Sequence, residues 1–306
     1  MTGFVLRRTV QAIASLTAAS LAVFLLVRLS GDPIELLVAA DATPQEIAET
    51  RQYYGLDRPW PEQYGMFITH AVQGDFGRSL RFKRPALEVV AERYPATLQL
   101  GGLAFLLAVA TAIPLGVTAA VNRGRALDYA ARTFAALGQA APPFFVGLVL
   151  VLVVGVMLRI LPTSGAGTPA HLILPALTLA WYATAGLMRL TRSSMLNVLG
   201  TEYVKLARIK GLPERTVIWK HAFHNAALPV LTFGAILLVY LINGSVVVEM
   251  VFAWPGVGSL LIEAVQNRDY PIVQVVVLLL CAIYLGASLV VDMLYAYLDP
   301  RIRIAS

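Results

Sequence analysis

Long apolar runs alternate with shorter polar ones along this chain, and six of the apolar runs are long enough to cross a bilayer. A hydrocarbon core of about 30 Å takes roughly 20 helical residues to span. The runs fall near Thr9–Val27, Thr97–Val121, Phe134–Leu158, Leu172–Leu190, Ala227–Val248 and Ile272–Tyr295. No water satisfies backbone amides inside a bilayer, so each run has to be helical. The pattern predicts an all-α integral membrane protein with six transmembrane helices. Composition agrees: of 306 residues, 58% are hydrophobic and 14% charged, against about 25% charged in a soluble domain.

Basic residues orient the spans. One side of this topology holds Arg7, Arg8, Arg123, Arg125, Arg132, the polar stretch from Arg189 to Lys220, and Arg301 and Arg303. The short loops on the other side offer little beyond Arg159 and Arg268. That asymmetry predicts both termini in the cytoplasm. The segment after the first span carries arginines of its own, but loops of about 60 residues or more cross largely regardless of charge. The net charge of +6 thus reads as topology, not as nucleic-acid binding. Arg7-Arg8 followed by an apolar run also suggests a signal peptide. The run is too long for one and no small-x-small cleavage site follows it, so a retained first helix is expected.

Residues 30–95, about 65 residues after the first helix, are expected to form the only sizeable soluble part. Thr43-Pro44-Gln45-Glu46 is a capping box with Pro at N1, and Gly55 closes the helix it opens. A second helix is expected over Pro61–Gln73, with Tyr64, Phe67, Ile68 and Val72 on one face, followed by a turn at Gly74-Asp75-Phe76-Gly77. The segment is too short for a substrate-binding domain. It reads either as a lid or docking surface for a separate binding protein, or as a cap on the helix ends.

The longest polar stretch in the second half is Glu202–Pro229. Lys205, Arg208, Lys210, Arg215 and Lys220 are its cations, and Glu202 and Glu214 its acids. Lys210-Gly211-Leu212-Pro213 divides two helical runs, Gly ending one and Pro starting the next. In that role Gly211 takes the left-handed conformation that residues with a Cβ avoid. The stretch is either a charged loop that only orients the protein or a docking element for a soluble partner. In the docking reading Leu212, Val217 and Ile218 are its apolar anchors.

With Ala207 and Gly211 in register and Leu228-Pro229 beyond them, the stretch resembles the cytoplasmic EAA loop of ABC-importer permeases. The form is that of the dipeptide/oligopeptide/nickel permease family, with its (D/E)-Y-x-(R/K)-x-A-x-x-K-G-L. Lys205 stands where the general pattern has Glu and the spacer before Leu228 is longer, as in that branch. Gly31-Asp32-Pro33, Gly74-Asp75-Phe76-Gly77 and Tyr94-Pro95-Ala96-Thr97-Leu98 resemble further family motifs, the last opening the second span. So do Glu249 through Gly258 (EMVFAWPGVG), Arg268-Asp269-Tyr270-Pro271, Val291-Asp292 and Leu298-Asp299-Pro300-Arg301.

The resemblance implies a type I ABC importer permease fold in a bacterial inner membrane. Residues 1–93 would be the first helix and periplasmic segment, 94–296 the permease core and 297–306 a cytoplasmic tail. The implied partners are a homologous second permease, two ABC ATPase subunits, a periplasmic or lipid-anchored substrate-binding protein, and membrane lipid. ATP and Mg would be used by the ATPase subunits, with no cofactor bound by this chain. By resemblance the cargo is a short peptide, with nickel, glutathione, opines and oligosaccharides as family alternatives. The implied ATPase-coupling residues are Glu202, Tyr203, Lys205, Ala207, Arg208, Lys210, Gly211, Leu212 and Pro213. Glu249, Trp254, Pro255, Gly256, Gly258, Arg268 and Asp269 would form the periplasmic mouth, the two glycines allowing a tight turn.

Covalent chemistry finds no support. There is no G-x-x-x-x-G-K-(S/T) to cradle nucleotide phosphates, so ATP hydrolysis is expected elsewhere. His70, His171, His221 and His224 are scattered, and His221 and His224 lack a clustered acid or Cys to complete a metal site. A lone Cys281 excludes an internal disulfide, and no Ser/His/Asp set presents itself. A self-contained secondary transporter or channel would show mid-membrane charged relays and an inverted repeat; neither is visible. Gln139, Asn243 and Ser245 are the polar candidates for a translocation pathway. Ala141-Pro142-Pro143-Phe144 interrupts the third span, either to shape packing or to line the route.

The topology is testable with single cysteines placed at Gly74 and at Ser306 in a Cys281→Ser background. An impermeant maleimide applied to intact cells is expected to label the first position only. Labelling of the second from outside would reject the orientation.

Overall fold

The computed structural model describes residues 2–29, 34, 38, 42–53 and 55–298; the Gly31-Asp32-Pro33 and Asp299-Pro300-Arg301 motifs lie outside them. Among the described residues every regular element is helical, and strand pairing is limited to an isolated bridge between Arg78 and Pro85. Contacts divide the chain into two units, Met1–Pro95 with Leu260–Ser306 and Ala96–Ser259.

The first unit is built on α1 (Thr2–Leu29) and α12 (Tyr270–Leu298), which pack against each other. Between them in sequence come α2 (Pro44–Tyr53) and α3 (Trp60–Val72). The capping box of α2 forms as expected: the Thr43 N–H donates to Glu46 Oε2 at 2.8 Å and the Glu46 N–H to Thr43 Oγ1 at 3.3 Å. The Thr43 N–H, and after it the Thr43 hydroxyl that donates to the same Oε2 at 3.0 Å, hold the exposed Glu46 carboxyl below its usual range. Gly55, at φ 64°, closes α2, with Gly55 N–H on Gln52 O and Leu56 N–H on Arg51 O. Along α3 the apolar face docks on α1: Phe24 packs edge-on to Tyr64 at 5.5 Å and near Phe67 at 6.1 Å, while Tyr64 and Ser20 share a 2.8 Å hydrogen bond. The turn after α3 is fixed by the Gly77 N–H on Asp75 Oδ1 at 2.9 Å.

In chain order the remaining helices are α4 (Ala86–Val121), α5 (Ala126–Ala140), α6 (Pro143–Met157) and α7 (Ala170–Leu199). They are followed by α8 (Glu202–Ile209), α9 (Glu214–Asn243), α10 (Val246–Val251) and α11 (Val257–Gln266). Among the described residues, five helices are long and apolar enough to cross a membrane: α1, α4, α7, α9 and α12. The expected third span is instead two helices, α5 and α6, bent by 104° at the Ala141-Pro142 break. At about 1.5 Å per residue, 15 residues in α5 reach only some 22 Å, short of the bilayer core. Both arms pack on α7.

Several boundaries differ from the sequence reading. Pro95 does not open α4: the helix starts at Ala86 and continues through it. Its first turns bury Val89 and Val90, and its 36 residues make about 54 Å of helix, so it outruns the bilayer core. The fifth span ends at Asn243, and Ser245 and Val248 fall in a separate turn and short helix. It also starts further upstream than expected, at Glu214, through a π-helical turn at Val217–Phe223.

The core of the second unit is lined on one side by Leu100, Ala104, Ala108 and Ala112, a four-residue repeat along α4 with every member fully buried. Leu174, Ala183 and Leu187 of α7 and Leu237 and Leu241 of α9 meet it. Small side chains at this spacing let apolar helices approach closely, which drives association where water does not. One polar clamp ties α5 to α7. Asp128, 1% exposed, accepts from Arg192 Nε at 2.6 Å and Nη2 at 2.9 Å, and from the Gly124 N–H at 3.0 Å.

Candidate functional site

Exposed apolar side chains stand within a charged segment on α8 and at the corner after it. Eight residues of mixed character form this helix because Val204 and Ala207, three apart, bury against Val117, Met195, Val217 and Ala222. Its opposite side leaves Tyr203 41%, Leu206 51% and Ile209 80% exposed, and Leu212 beyond it 37%. The helix therefore has two apolar faces, one covered by its own bundle and one bare.

Its end is a sharp, well-bonded corner. Gly211 has φ 74°, its N–H donates to Arg208 O at 2.9 Å, and the Leu212 N–H reaches Ala207 O at 3.4 Å. These are the paired bonds of a Schellman stop, as the Gly-Leu-Pro sequence led one to expect. A Cβ on Gly211 would touch nothing within 4 Å, so what the position requires is the left-handed backbone, not space. Arg208 Nη2 bonds Glu214 Oε1 at 2.7 Å, tying the last turn of α8 to the first of α9. Lys205 pairs with Glu202 at 2.8 Å. Both pairs are exposed and worth at most about 1 kcal/mol each, so they set shape more than stability.

Of the residues expected to couple, Glu202, Tyr203, Lys205, Arg208, Lys210, Gly211, Leu212 and Pro213 are all at the surface. Ala207 is not: its methyl faces the bundle. Val217 is fully buried and Ile218 packs on the same cluster, so neither is an outward anchor. Leu206 and Ile209 take that place. Their signal in the sequence is a second apolar stripe, three residues apart, on a helix already amphipathic.

The residues expected at the outer mouth are mostly interior. Glu249 is fully buried. It accepts from Thr97 Oγ1 and Ser245 Oγ, each at 2.8 Å, and from the Ser259 N–H at 3.0 Å. Thr97 Oγ1 in turn accepts from the Val257 N–H at 2.8 Å. Carboxylate and hydroxyl together thus cap the first turn of α11, whose amides have no helical partner. Gly256 and Gly258 are not among the left-handed glycines. They are there for space: a Cβ on Gly256 would collide with the Glu249 carboxylate, and one on Gly258 would come 2.6 Å from Val246 Cα. Trp254 is buried and donates to Ala96 O at 2.9 Å, and Pro255 is half-buried.

In the first unit, buried Asp269 accepts from Ser79 Oγ at 2.5 Å and from the Leu80 and Arg81 N–H groups at 3.2 and 3.3 Å. Arg268 beside it is exposed, at φ 53°. Among the pathway candidates, Ser245 is 1% exposed and committed to Glu249. Gln139 and Asn243 are half-buried, and Asn243 Oδ1 is buried without a hydrogen-bond partner.

Comparison with known proteins decides the family. Residues 112–304 match the family described as binding-protein-dependent transport system inner membrane component, and residues 1–101 match its N-terminal companion. This chain belongs to that family. It is 42% identical over 304 residues, 99% of each chain, to the glutathione transport system permease protein GsiC of Salmonella typhimurium (strain LT2). The GsiC protein of Escherichia coli (strain K12) is 41% identical over the same length. The chain is a multi-pass permease subunit of an ABC importer of the inner membrane, a transport component and not a catalytic one.

The Glu249 cluster makes an ordered prediction. Losing the carboxylate strands the Thr97 hydroxyl and the Ser259 N–H, at about 1–3 kcal/mol for each buried group left unpaired. The Ser245 hydroxyl also reaches Ile242 O at 3.2 Å. In a denaturant titration of the purified protein, Glu249→Ala should destabilise most, Thr97→Ala less and Ser245→Ala least. Equal shifts, or none for Glu249→Ala, would remove the carboxylate from the centre of the cluster.

Proposed function

We propose that this permease pairs with a homologous second permease to form the translocation pathway. Two cytoplasmic ATPase subunits would drive it through α8, with cargo delivered by a binding protein on the other side. The observation that supports coupling through α8 is its two-sidedness. Tyr203, Leu206 and Ile209 are bare while Val204 and Ala207 are held by the bundle. A partner that buries the outer face therefore grips a lever already joined to the ends of α4, α7 and α9. Moving a transporter from 1:99 to 99:1 between states takes about 5.5 kcal/mol of differential interaction. Three apolar anchors at roughly 1.5–3 kcal/mol each supply that scale.

In this reading the two arms of α5 and α6 make one broken span, giving six, with both termini in the cytoplasm. The polar segment between α1 and α4 lies on the periplasmic side. Alternating access follows from ATP-driven closure of the ATPase pair, relayed by α8 to the helices. The cargo is a short peptide. Among such cargoes the GsiC likeness favours glutathione, itself a tripeptide, as the first to test.

Ile209→Asp separates coupling from folding, because the side chain is 80% exposed. Stability of the permease should change by no more than about 0.5 kcal/mol. ATPase recovery with the tagged subunit should fall by about thirtyfold, as for loss of one interface anchor worth about 2 kcal/mol. Gly211→Asn, which tolerates the left-handed backbone, should retain recovery. Full cargo-stimulated hydrolysis with Ile209→Asp would end the coupling role of α8.

A further inference from the structure

Of the five described helices of membrane length, α7 is the most enclosed. Of its apolar stretch 61% is buried, against 17–39% for the others. One strip of it stays open. Tyr182, Gly186, Arg189, Ser193 and Asn197 recur at spacings of three and four, so they share a face, and none of them is buried. The strip is closed at its upper end. On the same face Pro175 and Thr178 are buried, with α6 so near that a Cβ on Gly147 would stand 3.4 Å from Thr178 Cγ2. Toward α8 it opens, through the exposed Arg189, Ser193 and Asn197.

Two neighbouring helices flank the strip. The Gln139 amide of α5 lies over Gly186, its nitrogen 3.8 Å from where a Cβ would be, and the Phe233 ring of α9 lies 3.5 Å from the same point. Tyr240 of α9 adjoins Tyr182, their ring centroids 6.0 Å apart. Among the described residues, the Gln139 amide, the Tyr182 and Tyr240 hydroxyls and the Arg189 guanidinium have no hydrogen-bond partner. The contrast with the rest of α7 is sharp, for Thr178 and Thr191 turn their hydroxyls onto Leu174 O and Leu187 O.

Tyr182 falls near the middle of the apolar run Leu172–Leu190. A hydroxyl or amide without a partner is costly in hydrocarbon, and polar side chains within membrane helices face a bundle interior or a water-filled cavity. Four such groups on one open strip therefore look onto a cavity and not onto lipid.

We propose that this strip is one wall of the cargo path and binds a short anionic peptide in extended form. The inference rests on the import reading above, in which the second permease completes the opposite wall. Tyr182 and Arg189 stand about 10 Å apart along the helix, the length of about three extended residues. Arg189 takes the C-terminal carboxylate, the Gln139 amide pairs with a peptide bond, and the Tyr182 and Tyr240 hydroxyls hold the other end.

The test uses the assembled transporter in inside-out vesicles, which present the α8 side. This chain carries Gly186→Cys in a Cys281→Ser background, a change that leaves each proposed contact in place. A charged methanethiosulfonate needs a hydrated thiolate, and should modify Gly186→Cys at least about tenfold faster than Leu106→Cys, a bare aliphatic position on α4. S-methylglutathione, an anionic tripeptide with its thiol blocked, should slow the modification. Its diethyl ester should protect about tenfold more weakly or worse, as should S-methylglutathione against Arg189→Gln, for the loss of one charge-assisted hydrogen bond. Arg189→Lys should keep most of the protection.

The proposal is overturned if Gly186→Cys is no more reactive than Leu106→Cys, or if acid and ester protect alike. It is equally overturned if Arg189→Gln leaves protection unchanged, or if Arg189→Lys loses it as fully. Uptake of radiolabelled glutathione by the same transporter in intact cells separates this failure from that of the import reading. Uptake without protection overturns the site alone; absence of both overturns the peptide cargo with it.

Discussion

A polar group taken out of water has to be satisfied by the protein around it, and in a chain this apolar few partners are on offer. The fold is arranged about the few that exist. Glu249 gathers Thr97, Ser245 and the first turn of α11. Asp128 and Arg192 join α5 to α7. Asp269 holds the turn at Ser79. Elsewhere the helices meet through small apolar side chains, which pack closely and carry no directional information. Polar nodes therefore fix which elements meet, and the alanine stripe of α4 fixes how near they come.

That division of labour explains the form of α8. A short, charged helix outside the apolar bundle has too few residues to be stable alone. Burying Val204 and Ala207 joins it to the ends of α4, α7 and α9, and the Gly211 corner sends the chain back into the bundle through α9. A loop with its outer side chains bare and its inner ones locked can transmit force. A solvated loop cannot.

Much of this was legible in the sequence wherever the determinant is local. The Thr43–Glu46 box, the Gly55 stop and the left-handed Gly211 follow from chemistry within five residues, and each forms as read. The apolar runs locate the membrane helices because hydropathy is additive along a helix. Local reasoning fails where the partner is distant. Asp128 and Arg192 are 64 residues apart, and nothing near Asp128 announces the pairing. Gly256 and Gly258 were legible as glycines but not for their reason, since the object that excludes a Cβ is the side chain of Glu249. Hydropathy also merged α5 with α6, because Ala141-Pro142-Pro143-Phe144 is as apolar as its flanks. The 104° bend comes from backbone chemistry that an apolar average does not register.

The central claim is that α8 is a preformed lever, folded on the bundle before any ATPase arrives. Hydrogen exchange of the purified permease without partners, read over residues 205–212, tests it most directly. Burial of Val204 and Ala207 is worth about 3 kcal/mol, which corresponds to exchange slowed by about a hundredfold relative to unstructured chain. Protection on that scale, comparable to the adjoining end of α7, is the predicted result. Exchange at the rate of an open loop, with protection only once the ATPase subunits are added, would contradict the account.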